Sequence, residues 1–92
     1  MLPESLRKDF PALQRQRNGK PPVYLDSACM SLKPEQVISA MLEYHRSHPA
    51  CSGYGRSAHW FAREVSEATA QAREKVASFI GASPEEVVWT KN

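Results

Sequence analysis

The stretch Ser83-Pro84-Glu85-Glu86-Val87-Val88-Trp89-Thr90-Lys91-Asn92 decides how this chain is to be read. Ser83 and Glu86 stand at capping-box spacing, where each side chain bonds the other's backbone amide, so a short helical turn opens at Pro84. Val87-Val88-Trp89-Thr90 then reads as a buried β-strand, rich in β-branched and aromatic side chains. Within 92 residues it has almost nothing to pair against. A lone strand pair is marginal in water and leaves open edges, so this segment is expected to join a sheet built from other chain. The sequence is therefore expected to be the front part of a larger protein.

Working back from that strand, residues 59–80 form the longest element. Phe61, Val65, Ala68, Ala72, Val76 and Phe79 step by 4, 3, 4, 4 and 3, one stripe on an α-helix. Arg63 and Glu67, one turn apart, are positioned to pair on its outer face. Gly81 ends the helix with a residue free to adopt positive φ. Before it lies a loop, residues 47–58, with Pro49, Gly53, Gly55 and several serines. An earlier helix starts with Pro34 at its first position and Glu35 at the positive end of its dipole. Val37, Ile38, Met41, Leu42 and His45 share one face, and Pro49 forbids continuation. Nearer the N-terminus, residues 5–10 predict a short helix stopped by Pro11, Asn18-Gly19 marks a turn, and Val23-Tyr24-Leu25 is a brief strand candidate. Asp26-Ser27-Ala28 leaves that strand through small side chains that let another group approach the backbone.

Composition narrows the function class. A hydrophobic fraction of 41% with 24% charged residues suits a folded globular chain. A chain of this size buries only about 60–65% of its extended surface. Net charge is +2, far from the concentrated basic face of a nucleic-acid binder, and Arg7, Lys8, Arg15, Arg17 and Lys20 read as a solvated surface interrupted by Glu4 and Asp9. No apolar run approaches a membrane span, and Met1-Leu2-Pro3-Glu4 does not open a signal peptide. Cys29 and Cys51 are too few for a disulfide scaffold and are expected as free thiols in a cytoplasmic protein. Neither a nucleic-acid nor a membrane partner is expected.

Taken in order, Asp9-Phe10-Pro11, Asn18-Gly19-Lys20-Pro21, Tyr24-Leu25-Asp26-Ser27-Ala28, Lys33-Pro34, residues 72–80 and residues 85–92 resemble the N-terminal part of cysteine desulfurases and related class V aminotransferases. The resemblance implies a pyridoxal-phosphate-dependent transferase of fold type I, an α/β parent that forms homodimers and acts on a small amino-acid substrate. The 92 residues are then mostly α, two main helices with one or two short strands. The implied organisation is an arm and short strand over 1–33, a helix over 34–48, a loop over 49–58, a long helix over 59–81, and over 82–92 a turn with the first strand of the large domain.

In that family the strand matching residues 87–90 runs into a segment that holds the cofactor phosphate at a helix N-terminus. By resemblance that cradle starts after Asn92. The lysine that holds the cofactor, its ring partners and the mobile cysteine also belong to later sequence. No catalytic or cofactor-binding residue is thus assigned, and no bound cofactor is expected for these 92 residues alone. The partner expected is the remainder of the parent enzyme, with homodimerisation or self-association. The residues that the resemblance brings to a substrate cavity are Ala28 and Cys29, where small side chains leave room for substrate, and Arg56 and His59, in a loop that in relatives reaches the active site of the dimer partner. The last two lie in Cys51-Ser52-Gly53-Tyr54-Gly55-Arg56-Ser57-Ala58-His59, which departs from the family's His-Arg-Gly pattern. Arg56 offers a charge to a carboxylate or phosphate. Against these stand blander readings: a tight bend at Ala28-Cys29, a solvated arginine, and a histidine at a helix start.

Two further classes fit parts of the pattern. A stand-alone helical module would dock a partner on its apolar stripes. A small zinc module would draw on His45, His48, Cys51 and His59, but these lack the paired-cysteine knuckle usual in structural zinc sites, and no metal ligand is assigned.

Overall fold

A computed structural model describes residues 3–53 and 56–91. Helix α1 is Glu4–Arg7, α2 is Glu35–Ser47 and α3 is Trp60–Ile80, with single 3-10 turns at Pro11–Gln14 and Pro84–Glu86. The chain divides into two units, Met1–Tyr44 and His45–Asn92.

In the first unit, Leu6 N–H bonds the Pro3 carbonyl at 3.0 Å, and α1 is spent by Asp9. The expected helix over residues 5–10 is therefore a single turn shifted toward the N-terminus. The Asp9 carbonyl accepts from Glu35 N–H at 2.7 Å, so an orphan donor at the start of α2 is satisfied by the arm. Pro34 lies just before α2 rather than at its first position, and its carbonyl receives Val37 N–H at 3.0 Å and Ile38 N–H at 3.2 Å. That places it as a cap, one residue from the expected place. No residue of α2 is buried; Val37, Met41, Leu42 and His45 all stand exposed on it.

Neither strand candidate is paired. Among the described residues there is no β-strand, and the isolated bridge Arg17–Lys20 is the β-type pairing present. Val23 and Leu25 are exposed, Leu25 at 90%. Residues 87–91 are likewise without a strand assignment. The expectation of one or two short strands is corrected on this point: a strand needs a neighbour for its amides, and these residues do not supply one.

The second unit is organised by α3. His59 caps its start, the ring Nδ1 accepting from Ala62 N–H at 3.3 Å. Gly81 closes its end at φ 72°, with Ala82 N–H reaching back to the Ala77 carbonyl at 2.9 Å, the long bond of a Schellman motif. An added Cβ at Gly81 meets nothing within 4 Å. Gly81→Ala therefore carries only the cost of a left-handed backbone, and is expected to lower stability by roughly 1 kcal/mol in urea unfolding. The Ser83/Glu86 capping box forms, with Glu86 Oε2 accepting from Ser83 N–H at 2.8 Å.

The face of α3 that is covered differs from the apolar stripe. Ala62 and Ala77, each 1% exposed, and Ser66 are buried, and Thr69 and Arg73 are half-buried between them. These positions step by 4, 3, 4 and 4, one residue on from the stripe and so turned from it by about 100°. The small residues bring chain close to the helix axis. Gly53 N–H donates to Ser66 Oγ at 3.0 Å, Ser66 Oγ donates to the Ala62 carbonyl at 2.8 Å, and the Pro84–Glu86 turn packs on the helix. Val87, 7% exposed, completes this core, a burial contributing roughly 1.5–3 kcal/mol. Of the stripe itself, Phe61 and Val65 are half-buried, while Ala68, Ala72, Val76 and Phe79 are exposed, Phe79 at 90%. The expected Arg63–Glu67 pair is absent among the described residues; Glu64 Oε2 instead lies 3.8 Å from His48 Nδ1, an ion pair when that imidazole is protonated.

Candidate functional site

The four residues expected at a substrate cavity divide between the two units. Ala28 and Cys29 belong to the first, where the chain folds over after Leu25. The Asp26 carbonyl accepts from Cys29 N–H and Met30 N–H, both at 3.1 Å. The Tyr24 hydroxyl lies within donating distance of the Asp26 carbonyl, at 3.1 Å, and of the Met30 carbonyl. This pins both ends of the bend and leaves Ala28 and Cys29 exposed at its crest. Cys29 and Cys51 are both exposed free thiols.

Arg56 and His59 belong to the second unit, three positions apart in the chain before α3. Arg56 N–H bonds the Gly53 carbonyl at 3.3 Å, and Gly53 has φ 123°. A Cβ on Gly53 would stand 3.2 Å from Cδ of the exposed Arg56 side chain, which can give way, so glycine is favoured there for its left-handed backbone. Tyr54 and Gly55 lie outside the described residues. The Arg56 side chain is exposed. His59 has its Nδ1 committed to the helix cap, so in its neutral form Nε2 carries the proton and faces outward as a donor. Its ring meets Phe61 edge-on at 6.0 Å.

Sequence reasoning passed over Arg73 and Ser66, the two polar groups that tie the second unit together. Arg73 donates from Nη1 to the Val87 carbonyl at 3.1 Å, holding the terminal segment against α3. Thr69, Arg73 and Trp89 line a concavity of about 310 Å³, and Ser57, Ala62 and Glu67 line another of about 270 Å³, with Gly53 and Ser66 common to both. Arg56 and His59 line neither of these two. The available signal was an arginine among small residues at helical spacing, a combination that marks close packing rather than a solvated face.

His45, His48, Cys51 and His59 do not gather into a metal site: among the described residues no group of three or more His, Cys, Asp or Glu side chains does so. No described helix is long and apolar enough to cross a membrane.

Comparison with known proteins places these features. The aminotransferase class-V family profile matches residues 23–92. A probable cysteine desulfurase of Streptomyces coelicolor is 46% identical over 91 residues, covering 97% of this chain and 21% of the relative. A probable cysteine desulfurase of Vibrio cholerae is 42% identical over 89 residues, with 96% and 22% covered. A cysteine desulfurase of Haloferax volcanii is 41% identical over 103 residues, with 97% and 24% covered. The chain spans between a fifth and a quarter of the length of these curated relatives. With the match running from the Tyr24 bend through the Arg73 anchor to the terminal extended segment, the chain belongs to the aminotransferase class-V family.

Proposed function

We propose that these residues form the N-terminal portion of a cytoplasmic, dimeric, pyridoxal-phosphate-dependent enzyme of fold type I that resembles the cysteine desulfurases and acts on an amino-acid substrate. The observation that carries this reading is the identity to cysteine desulfurases along 97% of the chain, joined to a share of only 21% of the relative's length. The exposed stripe of α3 and the unpaired Val87–Thr90 segment support it, since both are surfaces of the kind a larger α/β body covers.

The residues present do not fit the whole cofactor. Lys8, Lys20, Lys33, Lys75 and Lys91 are all exposed, and none is enclosed as a lysine must be to hold an aldehyde against hydrolysis. When bound in such enzymes, the cofactor serves as an electron sink. What this chain contributes is shape: the Tyr24-pinned bend carrying Ala28 and Cys29, and a loop that ends in Arg56 and the His59 cap. In the proposed enzyme these form wall and mouth of the substrate cavity.

A purified 92-residue chain mixed with pyridoxal phosphate and desalted is expected to show no retained cofactor absorbance, and to release no sulfide from cysteine. Retained absorbance that borohydride fixes to one lysine, read by peptide mass, would overturn the assignment of covalent binding to later sequence.

A stand-alone docking module is the second reading, favoured by Phe79 at 90% exposure. Co-expression with the remaining sequence of a class V relative separates the two. Rescue of a monodisperse species supports the enzyme reading, and indifference supports the module.

A further inference from the structure

The first unit holds a concavity that the proposed chemistry leaves unused. Asn18 at φ 53° and Gly19 at φ 73° put two successive residues in the left-handed region, as in a type I′ turn. Arg17 and Lys20 exchange both backbone hydrogen bonds across it, at 3.0 and 3.1 Å. Residues paired in this way lie directly opposite and project to the same face. Arg15, two residues earlier, lines the same concavity.

The register sets Arg17 and Lys20 on one side of a two-residue turn, and the concavity brings Arg15 to them. Like charges opposed across such a pair repel and cost stability. No ion pair relieves them: among the described residues none of Arg15, Arg17 and Lys20 meets a carboxylate within 4.0 Å. The three line a concavity of about 500 Å³ whose walls include Ala12, Pro22 and Val23 and whose lining contains no acidic residue. Glu4 and Asp9, which dilute the basic run in sequence, are not among the lining.

We propose that this concavity binds a phosphate-bearing small molecule. Two guanidinium forks and an ammonium suit an oxyanion with two or more charges at one centre better than a single carboxylate. The volume lies within the range of small-ligand sites and exceeds the needs of a bare inorganic anion, and the proline, valine and alanine walls face the organic part.

The probe is pyrophosphate, titrated into the 92-residue chain by calorimetry at low salt, with the Asn18 and Gly19 amide resonances followed in parallel. Saturable one-to-one binding is expected, with those amides shifting. Arg17→Gln with Lys20→Gln together should weaken it by about tenfold or more, as the loss of two charge-assisted contacts implies. Lys8→Gln with Lys33→Gln, both exposed and outside the lining, should leave it within about twofold, the behaviour of distant exposed charges under screening. Circular dichroism of each variant shows whether helicity is kept. Non-saturable binding, or equal weakening by both double variants, overturns the proposal. Tighter binding of a hexaglutamate peptide than of pyrophosphate overturns the choice of phosphate and assigns the face to protein-borne carboxylates.

Discussion

Replacing Arg73 by alanine is expected to lower the unfolding free energy of the second unit by roughly 1.5–3 kcal/mol, the range for a hydrogen bond to a charged group. The Nη1–Val87 carbonyl bond at 3.1 Å is the polar tie between α3 and the terminal segment, and it spans 14 residues of sequence. Without it, Val87 keeps a half-turn of local bonding, its N–H on the Pro84 carbonyl at 3.2 Å, but its carbonyl faces a gap. Arg73 is also half-buried, so truncation removes covered stem as well as charge. Urea unfolding followed by circular dichroism measures the loss, and hydrogen exchange at Val88 and Trp89 should accelerate in step. Arg73→Lys is expected to fall between wild type and alanine, because an ammonium reaches with one point charge where the guanidinium offers a planar fork. A change below about 0.5 kcal/mol for the alanine variant, the level of an ordinary surface substitution, would remove Arg73 from its anchoring role.

The second large effect distinguishes the two faces of α3. Ala77→Leu places three extra heavy atoms where the Pro84–Glu86 turn packs, at a position 1% exposed. Overpacking of this kind costs roughly 1–3 kcal/mol. Ala72→Leu, five residues earlier on the outward stripe, adds the same atoms where the side chain is exposed and is expected to stay within about 0.5 kcal/mol. The two variants match in helix propensity and hydrophobicity, so their difference in midpoint reports only which face is covered. Equal effects would mean that the stripe is packed within the 92 residues after all.

Much of the local architecture was legible because its causes are local. Gly81, the Ser83/Glu86 box and Asn18-Gly19 each act through residues within five positions of one another, and each was realised. The bend at Ala28-Cys29 is of this kind too, since small side chains and an Asp26 carbonyl serving two amides need nothing distant.

What escaped was decided at long range. Periodicity shows which face of a helix is apolar, but not whether these residues contain anything to cover it. For α3 the chain's own loop and terminal turn settled on the smaller side chains, because alanine and serine let backbone approach closely. Strand propensity in Val23–Leu25 and Val87–Trp89 is satisfied only by a neighbour, and no such neighbour is present among the described residues. Of the site candidates, His59 was recognisable as a helix start, but its capping role was not, since histidine is outside the usual Ser, Thr, Asp and Asn set. Arg73 depends on a carbonyl 14 residues away, which no spacing rule reports.

The division of α3 into sectors has a practical consequence for anyone wishing to watch this molecule. One sector is occupied by the chain's own backbone and the adjacent one is an adhesive apolar band, which leaves a third arc carrying Arg63, Glu64, Glu67, Gln71, Glu74, Lys75 and Ser78. Gln71 and Glu67 sit near the middle of that arc. A dye or spin label attached there through an introduced thiol reports on the helix while leaving its two engaged sides untouched, provided Cys29 and Cys51, both reactive toward the same reagents, are first replaced by serine.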